Sequence, residues 1–202
     1  MHIHTLDYHR NMNNLKDIYN LSAYKIDYAI SPEDMLKFKK TKYTTYGEVT
    51  YESTKAIVER FKDHFNSNAV FYDLGCGLGK MVIHIATGYN VESYGIELAE
   101  SRLKGANQLK ESYCKDSKLV NFLQQDFTTT DLSRATVIYF DNTVYESETI
   151  EKIWESLNSG TLLIYRKPVN LNSQLSKESF NISGESFKTT YNSCHLYYAI
   201  KK

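Results

Sequence analysis

The sequence predicts an α/β fold in which five parallel strands form one sheet, with helices on both faces and an antiparallel hairpin at the C-terminal edge. Three observations support this prediction. Strand-like and helical segments alternate from about residue 69 to residue 165, a glycine-rich loop follows the first strand, and two β-rich runs with few chain breakers lie near the end. Such alternation implies right-handed crossovers and a parallel sheet that is covered on both faces.

Residues 1–49 are expected to form a helical extension, and residues 50–202 the sheet domain. Apolar side chains at helical spacing predict a first helix over residues 11–24; they are Met12, Leu15, Ile18 and Tyr19, with Ile26 as a further candidate. Ser31 as N-cap and Pro32 in the first turn predict a second helix over residues 32–40. Its basic end is expected to be solvated or to contact an acidic partner, and it comprises Lys37, Lys39, Lys40 and Lys42.

The elements of the sheet domain follow from the hydrophobic pattern. An amphipathic helix over residues 50–65 is expected to bury Ile57, Val58, Phe61 and Phe65. Strands are expected near residues 69–73, 91–96, 119–123, 135–140 and 160–165, and helices near residues 79–87, 99–114 and 146–157. The two runs that predict the terminal hairpin are Phe180 to Lys188 and Ser193 to Ile200.

Composition bounds the class of protein. The 24 basic residues balance the 24 acidic ones, which argues against broad electrostatic capture of nucleic acid. A hydrophobic fraction of 42% is enough for a packed core. The 3 cysteines are far apart in the sequence and are expected to be reduced thiols of an intracellular protein. No signal peptide, membrane span or metal site is expected.

The most informative motif is the loop that follows the first strand. An acid, Asp73, precedes three glycines in a G-x-G-x-G pattern, and the loop comprises Gly75, Cys76, Gly77, Gly79 and Lys80. The third glycine comes one residue earlier than in the dinucleotide fingerprint G-x-G-x-x-G. The acid and the early glycine together resemble motif I of class I methyltransferases, which bind S-adenosylmethionine. A dinucleotide site and a purely structural turn are the alternatives.

Polar residues also end the next three strands. Glu97 ends the second strand, at a position where an acid can accept hydrogen bonds from ribose hydroxyls, although it could be a surface glutamate. Asp126 and Phe127 follow the third strand and suit an adenine ring, or else a helix cap beside a core aromatic. Asp141 and Asn142 follow the fourth strand, where the transferable group is expected.

These residues, taken with two flanking elements, resemble one family. Tyr46-Gly47-Glu48 precedes the sheet domain, and Lys167-Pro168 follows the fifth strand. With the glycine loop between them, they resemble the disruptor-of-telomeric-silencing family, the histone-lysine methyltransferases without a SET domain. The resemblance covers about residues 40 to 200. It implies the fold of class I methyltransferases, S-adenosylmethionine as cofactor and a protein lysine as the methyl acceptor.

The resemblance also implies which residues bind the cofactor. Residues Tyr46, Gly47 and Glu48 close over its methionine end, and the segment from Phe71 to Lys80 surrounds its carboxylate and ribose. Glu97 takes the ribose hydroxyls. The adenine lies against the pair that follows the third strand, Asp126 and Phe127.

At the acceptor end, the resemblance implies a narrow aromatic channel lined by Tyr145 and Tyr197. Such a channel disfavours the lysine ammonium by desolvation and lowers its pKa. The family carries two asparagines after strand four, whereas this chain has Asp141 and then Asn142. Two roles are open for Asp141: binding the ammonium group of the cofactor, which we favour, or accepting the proton of the substrate amine.

The expected substrate is a histone, on the nucleosome or free, or a lysine of another protein. The zero net charge fits a free protein at least as well as a nucleosome, because nucleosomal relatives need a basic segment beside the catalytic core. Two other functions remain open. They are a class I methyltransferase that acts on RNA or a small molecule, and a cofactor-binding module without catalysis.

Overall fold

The computed structural model describes residues 15–20, 29–169, 179–180, 187–189 and 193–202. The helices, in chain order, are α1 (residues 15–20), α2 (Pro32–Met35), a 3₁₀ turn (Thr41–Thr44), α3 (Tyr51–Arg60), α4 (Lys80–Tyr89), α5 (Glu100–Cys114) and α6 (Ser147–Ser156). Among these, none has the length and apolar composition to cross a bilayer.

The strands are β1 (Val70–Leu74), β2 (Glu92–Glu97), β3 (Val120–Gln124), β4 (Val137–Phe140), β5 (Leu162–Tyr165), β6 (Ser179–Phe180), β7 (Phe187–Lys188), β8 (Ser193–Cys194) and β9 (Leu196–Ile200). Seven of them form one sheet in the order β3-β2-β1-β4-β5-β9-β6. The first five strands are parallel, and β9 is antiparallel to both β5 and β6. The predicted fold class is therefore confirmed.

The C-terminal part differs in detail from the expected hairpin. The two predicted runs do pair with each other, as β7 and β8, but in a separate two-stranded sheet. Within the main sheet, β9 pairs instead with β6, which begins one residue before the first predicted run. The last strand thus lies between β5 and β6, and its alternation alone could not tell which neighbour it would have.

The core has two layers because side chains alternate along the strands. Phe71 of β1 packs on one face with residues of α1, α3 and α4, among them Ile18, Ile57 and Ile83. Tyr72 packs on the other face with residues of β4 and α6 that include Ile138, Ile150 and Trp154. The four residues predicted to point inward from α3 are all buried, although α3 ends at Arg60 instead of residue 65.

The N-terminal extension joins this core. Leu15 and Ile18 of α1 are buried, as the spacing predicted, and the Tyr19 hydroxyl is 3.1 Å from both Thr54 Oγ1 and His84 Nδ1. Met12 and Ile26, the outer residues of the predicted first helix, lie outside the described residues. The boundary at residue 49 stays a prediction.

The second helix ends at Met35 and is therefore shorter than expected. The carboxylate of Asp34 accepts hydrogen bonds from the backbone N–H groups of Glu100 and Ser101, which fixes α2 on the first turn of α5. The chain then turns and crosses the carboxyl ends of the strands. Tertiary contacts of this crossing segment prevail over the helical propensity of its lysines.

Candidate active site

The carboxyl ends of β1, β2 and β4 open into a cavity of about 310 Å³, which we call the large cavity. A smaller cleft of about 40 Å³ adjoins it, and the two share Gly47, Gly75 and Asp141 in their walls. The predicted site residues in the large cavity also include Tyr46, Gly77, Glu97, Asp126, Phe127 and Tyr145. Those found in the small cleft alone are Glu48, Asp73, Cys76 and Lys80.

The glycine loop has the backbone that its sequence predicted. Gly77 has a φ of +55°, and a Cβ atom there would lie 2.6 Å from Cε2 of Tyr46. Gly79 has a φ of +69° and forms the N-cap of α4. The Phe122 ring occupies the place where a Cβ atom of residue 79 would lie, so this glycine lets the helix pack closely on the sheet. Gly79 does not line either cavity. Only glycine combines this conformation with such close neighbours.

Glu97 connects two loops at the end of β2. Its carboxylate accepts hydrogen bonds from the backbone N–H groups of Gly77, at 3.0 Å, and Ala99, at 2.9 Å. The side chain is almost fully buried, and burial raises its pKa. A carboxylate held in this way lies in the wall of the large cavity, at the position where a ribose was expected.

Asp73 ends β1 as a buried acid near two others. Burial, with the nearby charges of Asp141 and Glu97, raises its pKa to about 8. Its side chain is therefore mostly protonated at neutral pH. A cation that entered the small cleft would favour the ionised form.

A segment that we call the covering segment, residues 37–47, lies over the large cavity. Directly after this segment, Glu48 accepts hydrogen bonds from the Tyr46 hydroxyl and from Lys80 Nζ, the latter at 2.7 Å. The Arg102 guanidinium lies 5.0 Å from the centre of the Tyr46 ring and donates to the Thr44 carbonyl oxygen. Tyr46-Gly47-Glu48 is thus fixed on the glycine loop and on α5.

The covering segment is also fastened to the loop after β4. Glu146 accepts hydrogen bonds from Lys40 and Lys42, each at 2.7 Å, and from the Tyr43 hydroxyl. The Tyr43 ring stacks on Tyr145 with 4.6 Å between the ring centres. Lys40 and Lys42, two of the predicted basic residues, are therefore paired within the chain. No motif pointed to Glu146 as their partner.

Lys37 is also paired within the chain, since its Nζ lies 2.6 Å from Asp34 Oδ1. Lys39 is exposed and lies at the wall of the large cavity.

The predicted adenine position has one acid and two aromatic rings. Asp126 Oδ1 accepts hydrogen bonds from the backbone N–H and the hydroxyl of Thr128. The Phe127 ring meets Tyr145 edge-on, with centres 5.3 Å apart, and is almost fully buried. The aromatic rings form an apolar wall beside a hydrogen-bond acceptor.

Asp141 lies at the end of β4 with a partner that sequence reasoning missed. Its Oδ2 is 2.8 Å from Nη1 of Arg166, which follows β5, and its Oδ1 accepts from the backbone N–H of Thr143. Phe140 and Tyr165 are paired in register, so the residues after them are neighbours. Asp141 directly follows β4, and Arg166 directly follows the adjacent parallel strand β5. This equivalence of position is the signal from which the pair could have been predicted.

Two predicted catalytic residues lie outside both cavities. The Asn142 amide donates to the Lys167 carbonyl and accepts from the backbone N–H groups of Arg166 and Lys167, so it joins the ends of β4 and β5. Tyr197 lies on β9, with its ring stacked against Tyr165. Their catalytic roles remain predictions. Within the described ranges, no group of three or more histidine, cysteine or acidic side chains is suited to a metal ion.

The strand order and the loop geometry define the fold as that of class I methyltransferases. An RNA methyltransferase from Salinibacter ruber, solved with S-adenosylhomocysteine, superposes with a TM-score of 0.59 and 23% identity, and the match covers 75% of this chain and 92% of that one. A magnesium protoporphyrin IX methyltransferase from Synechocystis gives a TM-score of 0.56 at 13% identity, covering 95% of this chain and 97% of that one.

Residues 24–195 match the family described as Histone methylation protein DOT1, and the chain belongs to this family. Two relatives carry the name Histone-lysine N-methyltransferase, H3 lysine-79 specific. The one from Kluyveromyces lactis is 28% identical over 196 residues, covering 79% of this chain and 34% of the relative. The one from Chaetomium globosum is 28% identical over 136 residues, covering 60% and 26%. The chain thus spans about a third of these relatives' length or less.

Proposed function

We propose that this protein transfers a methyl group from S-adenosylmethionine to the side-chain amine of a lysine, and that the protein which carries this lysine is a histone. The observation that carries the proposal is the match of residues 24–195 to a histone-methylating family. Two adjoining cavities, which bring together most of the residues of the family's motifs, support it. A histone substrate requires a site of action inside the cell.

The residues fit this cofactor. The glycines at positive φ leave bare backbone at the cavity, and Glu97 offers a fixed carboxylate to the ribose hydroxyls. Asp126 and Phe127 offer an acceptor and an apolar ring to the adenine. S-adenosylmethionine supplies a methyl group bonded to a sulfonium, which an amine can attack in line.

The chain's own residues contribute position and desolvation. Tyr46 and Glu48 cover the methionine end of the cofactor, and Asp141, in the wall shared by both cavities, binds its ammonium group. Tyr145 forms one wall of the lysine channel and favours the neutral amine by excluding water. Asn142 positions the loop after β5, and Tyr197 stays a candidate for the opposite wall.

The nucleosome is the form of histone that we propose. Because Lys37, Lys40 and Lys42 are paired with acids of this chain, the contact with an acidic surface is assigned to Lys39 at the cavity wall. Such a contact is weak and weakens further with salt.

Incubation with methyl-labelled S-adenosylmethionine and, in separate reactions, core histones, nucleosomes or RNA tests the proposal. Label that resists nuclease and is lost on protease treatment is the expected result. Label that nuclease removes would instead favour the RNA methyltransferase. Cofactor binding without any labelled product would favour a binding module.

A further inference from the structure

We infer that this protein methylates itself, and that the acceptor is Lys39 of the covering segment. The inference rests on the proposed function, because it requires S-adenosylmethionine in the large cavity and transfer to a lysine amine. It gives Lys39 a second role, as a modification site, beside the contact with an acidic surface.

Lysines in the cavity walls differ in whether an acid holds them. Among the described residues, the lysines that line the two cavities are Lys37, Lys39 and Lys80. Lys37 Nζ lies 2.6 Å from Asp34 Oδ1, and Nζ of the buried Lys80 lies 2.7 Å from Glu48 Oε2. Lys39 is exposed, and none of the ion pairs between described residues includes it.

The ion pairs matter because the attacking amine must be neutral and free to move. A carboxylate partner stabilises the ammonium form of a lysine and fixes its position. The hydrogen bond to Asp34 accordingly raises the pKa of Lys37. Lys39 has no such contact to break among the described residues, so it is the lysine of the cavity wall that is available to react.

The course of the covering segment brings Lys39 toward the end of β4. The next residue, Lys40, donates to Glu146 Oε1 in the loop after β4, at 2.7 Å. Farther along the segment, Tyr43 lines the same cavity and stacks on Tyr145. The methyl group is expected at the end of this strand, so Lys39 lies on a part of the segment that is fixed beside the expected place of reaction.

The reaction balances without a further reagent. The lone pair of the Lys39 amine forms a bond to the methyl carbon, while the carbon–sulfur bond breaks and its electron pair stays on the sulfur of S-adenosylhomocysteine. The proton that the ammonium loses before the attack passes to water, because Lys39 is exposed. Methylation keeps the positive charge of the side chain, so the contact with an acidic surface is retained.

Attachment to the enzyme favours Lys39 over a lysine in solution. A group joined to a site through a short flexible tether has an effective concentration on the order of millimolar. The transfer therefore needs no encounter between two molecules. We expect Lys39 to be methylated when no other protein is present, at a rate per molecule that does not depend on protein concentration.

Mass spectrometry of the protein after incubation with S-adenosylmethionine alone tests the inference. Cleavage after Glu33 and Glu48 gives a peptide, residues 34–48, that contains every lysine of the covering segment. Fragmentation of this peptide should place the added methyl mass on Lys39. The methylated fraction at a given time should not change when the protein is diluted about tenfold. A methyl group on another lysine instead, or a fraction that falls with dilution, would overturn the inference.

Two variants with matched charge sharpen this test. Lys39→Arg keeps the positive charge but removes the acceptor amine, so methylation of the protein should fall to background. Lys118→Arg is the control, since Lys118 is exposed and directly precedes β3, at the opposite end of the strands from the cavity. This control should keep full methylation of Lys39. Equal methylation of Lys39 and Lys118 in the wild type would indicate reaction without catalysis and would overturn the inference.

Chemical acetylation of the lysines gives a second measurement that needs no turnover. In protein saturated with S-adenosylhomocysteine, as shown by calorimetry, acetylation of Lys39 should slow several-fold, because the bound molecule occupies the cavity that Lys39 lines. Acetylation of Lys118 should not change. An unchanged rate at Lys39 would separate this side chain from the cofactor and would overturn the inference.

The two proposals fail in different ways. Methylated histone lysine together with unmodified Lys39 would overturn the self-methylation alone. Methylated Lys39 without any modified histone would support the self-methylation and contradict the proposed substrate. No methylated lysine, either in histones or in the chain, would overturn both.

Discussion

Burial decides the charge of Asp73, the acid directly before the glycine loop. Its pKa of about 8 lies far above the ordinary value of 3.8 because the side chain is buried beside two other acids. The folded chain therefore keeps a proton that the unfolded chain releases near pH 4. Between these two values, the folded state binds more protons, and raising the pH lowers stability.

Replacing Asp73 with Asn should remove this contribution. The wild-type free energy of unfolding should fall relative to that of Asp73→Asn as the pH rises from about 4 to 8, by up to about 1.4 kcal/mol per pH unit. Denaturant titrations at several pH values measure it. Asp116→Asn, at an exposed position, is the control and should keep the wild-type slope. If the free energy of unfolding of Asp73→Asn changed with pH as steeply as that of the wild type, Asp73 would be ionised in the folded chain.

Individual residues could be predicted from the sequence where a local motif requires them. Gly77 and Glu97 could be predicted because loop spacing and strand ends carry their signal. Arg166 and Glu146 could not, because their partners are distant in sequence: Asp141 lies 25 residues from Arg166, and Lys40 lies 106 residues from Glu146. Only the fold brings such pairs together.

Among the elements, the covering segment is the one whose structure departs most from expectation. A helix was predicted to residue 40, yet the chain leaves the helix after Met35 and passes over the cavity. Hydrogen bonds to Glu146 hold this course. The two lysine contacts are exposed, and contacts of this kind open easily, whereas the Tyr43 contact is partly buried.

Glu146→Gln should loosen the covering segment. Amide hydrogen exchange over residues 37–47 should become faster, and S-adenosylhomocysteine should dissociate several-fold faster in stopped-flow measurements, because two ion pairs are lost. Glu148→Gln, an exposed acid in the first turn of α6, is the matched control and should behave as wild type. Unchanged exchange in Glu146→Gln would mean that other contacts hold the segment.

Gly77→Ala tests the contact between the covering segment and the glycine loop. The new methyl group would meet the Tyr46 ring at 2.6 Å, so the ring must move and cofactor affinity should fall by more than about tenfold in calorimetry. The control is Gly160→Ala, which has a φ of +89° but no neighbour within 4 Å. It should cost about 1 kcal/mol of stability from backbone strain and keep full affinity. Equal affinity loss in both variants would refute the role of the contact.

For the whole molecule, the alternation of strands and helices was sufficient to predict the sheet. The first five strands begin within two residues of their expected positions because buried parallel strands give continuous apolar runs. The place of the last strand was not predictable, since both faces of Leu196–Ile200 carry apolar side chains and the partner is chosen by the completed sheet.

The same limit applies to the substrate. The cavity and the glycine loop belong to a fold shared with enzymes that act on RNA and on a porphyrin. The family match and the aromatic wall at Tyr145 are the two observations that favour lysine as the methyl acceptor.

Tandem mass spectrometry of core histones and nucleosomes after reaction with S-adenosylmethionine identifies the methyl acceptor. With the wild-type protein, a histone lysine should gain the mass of one or more methyl groups, and this product should fall strongly with Gly77→Ala. Methylation found only on RNA or on a small molecule, with every histone lysine unmodified, would contradict a histone lysine as the acceptor.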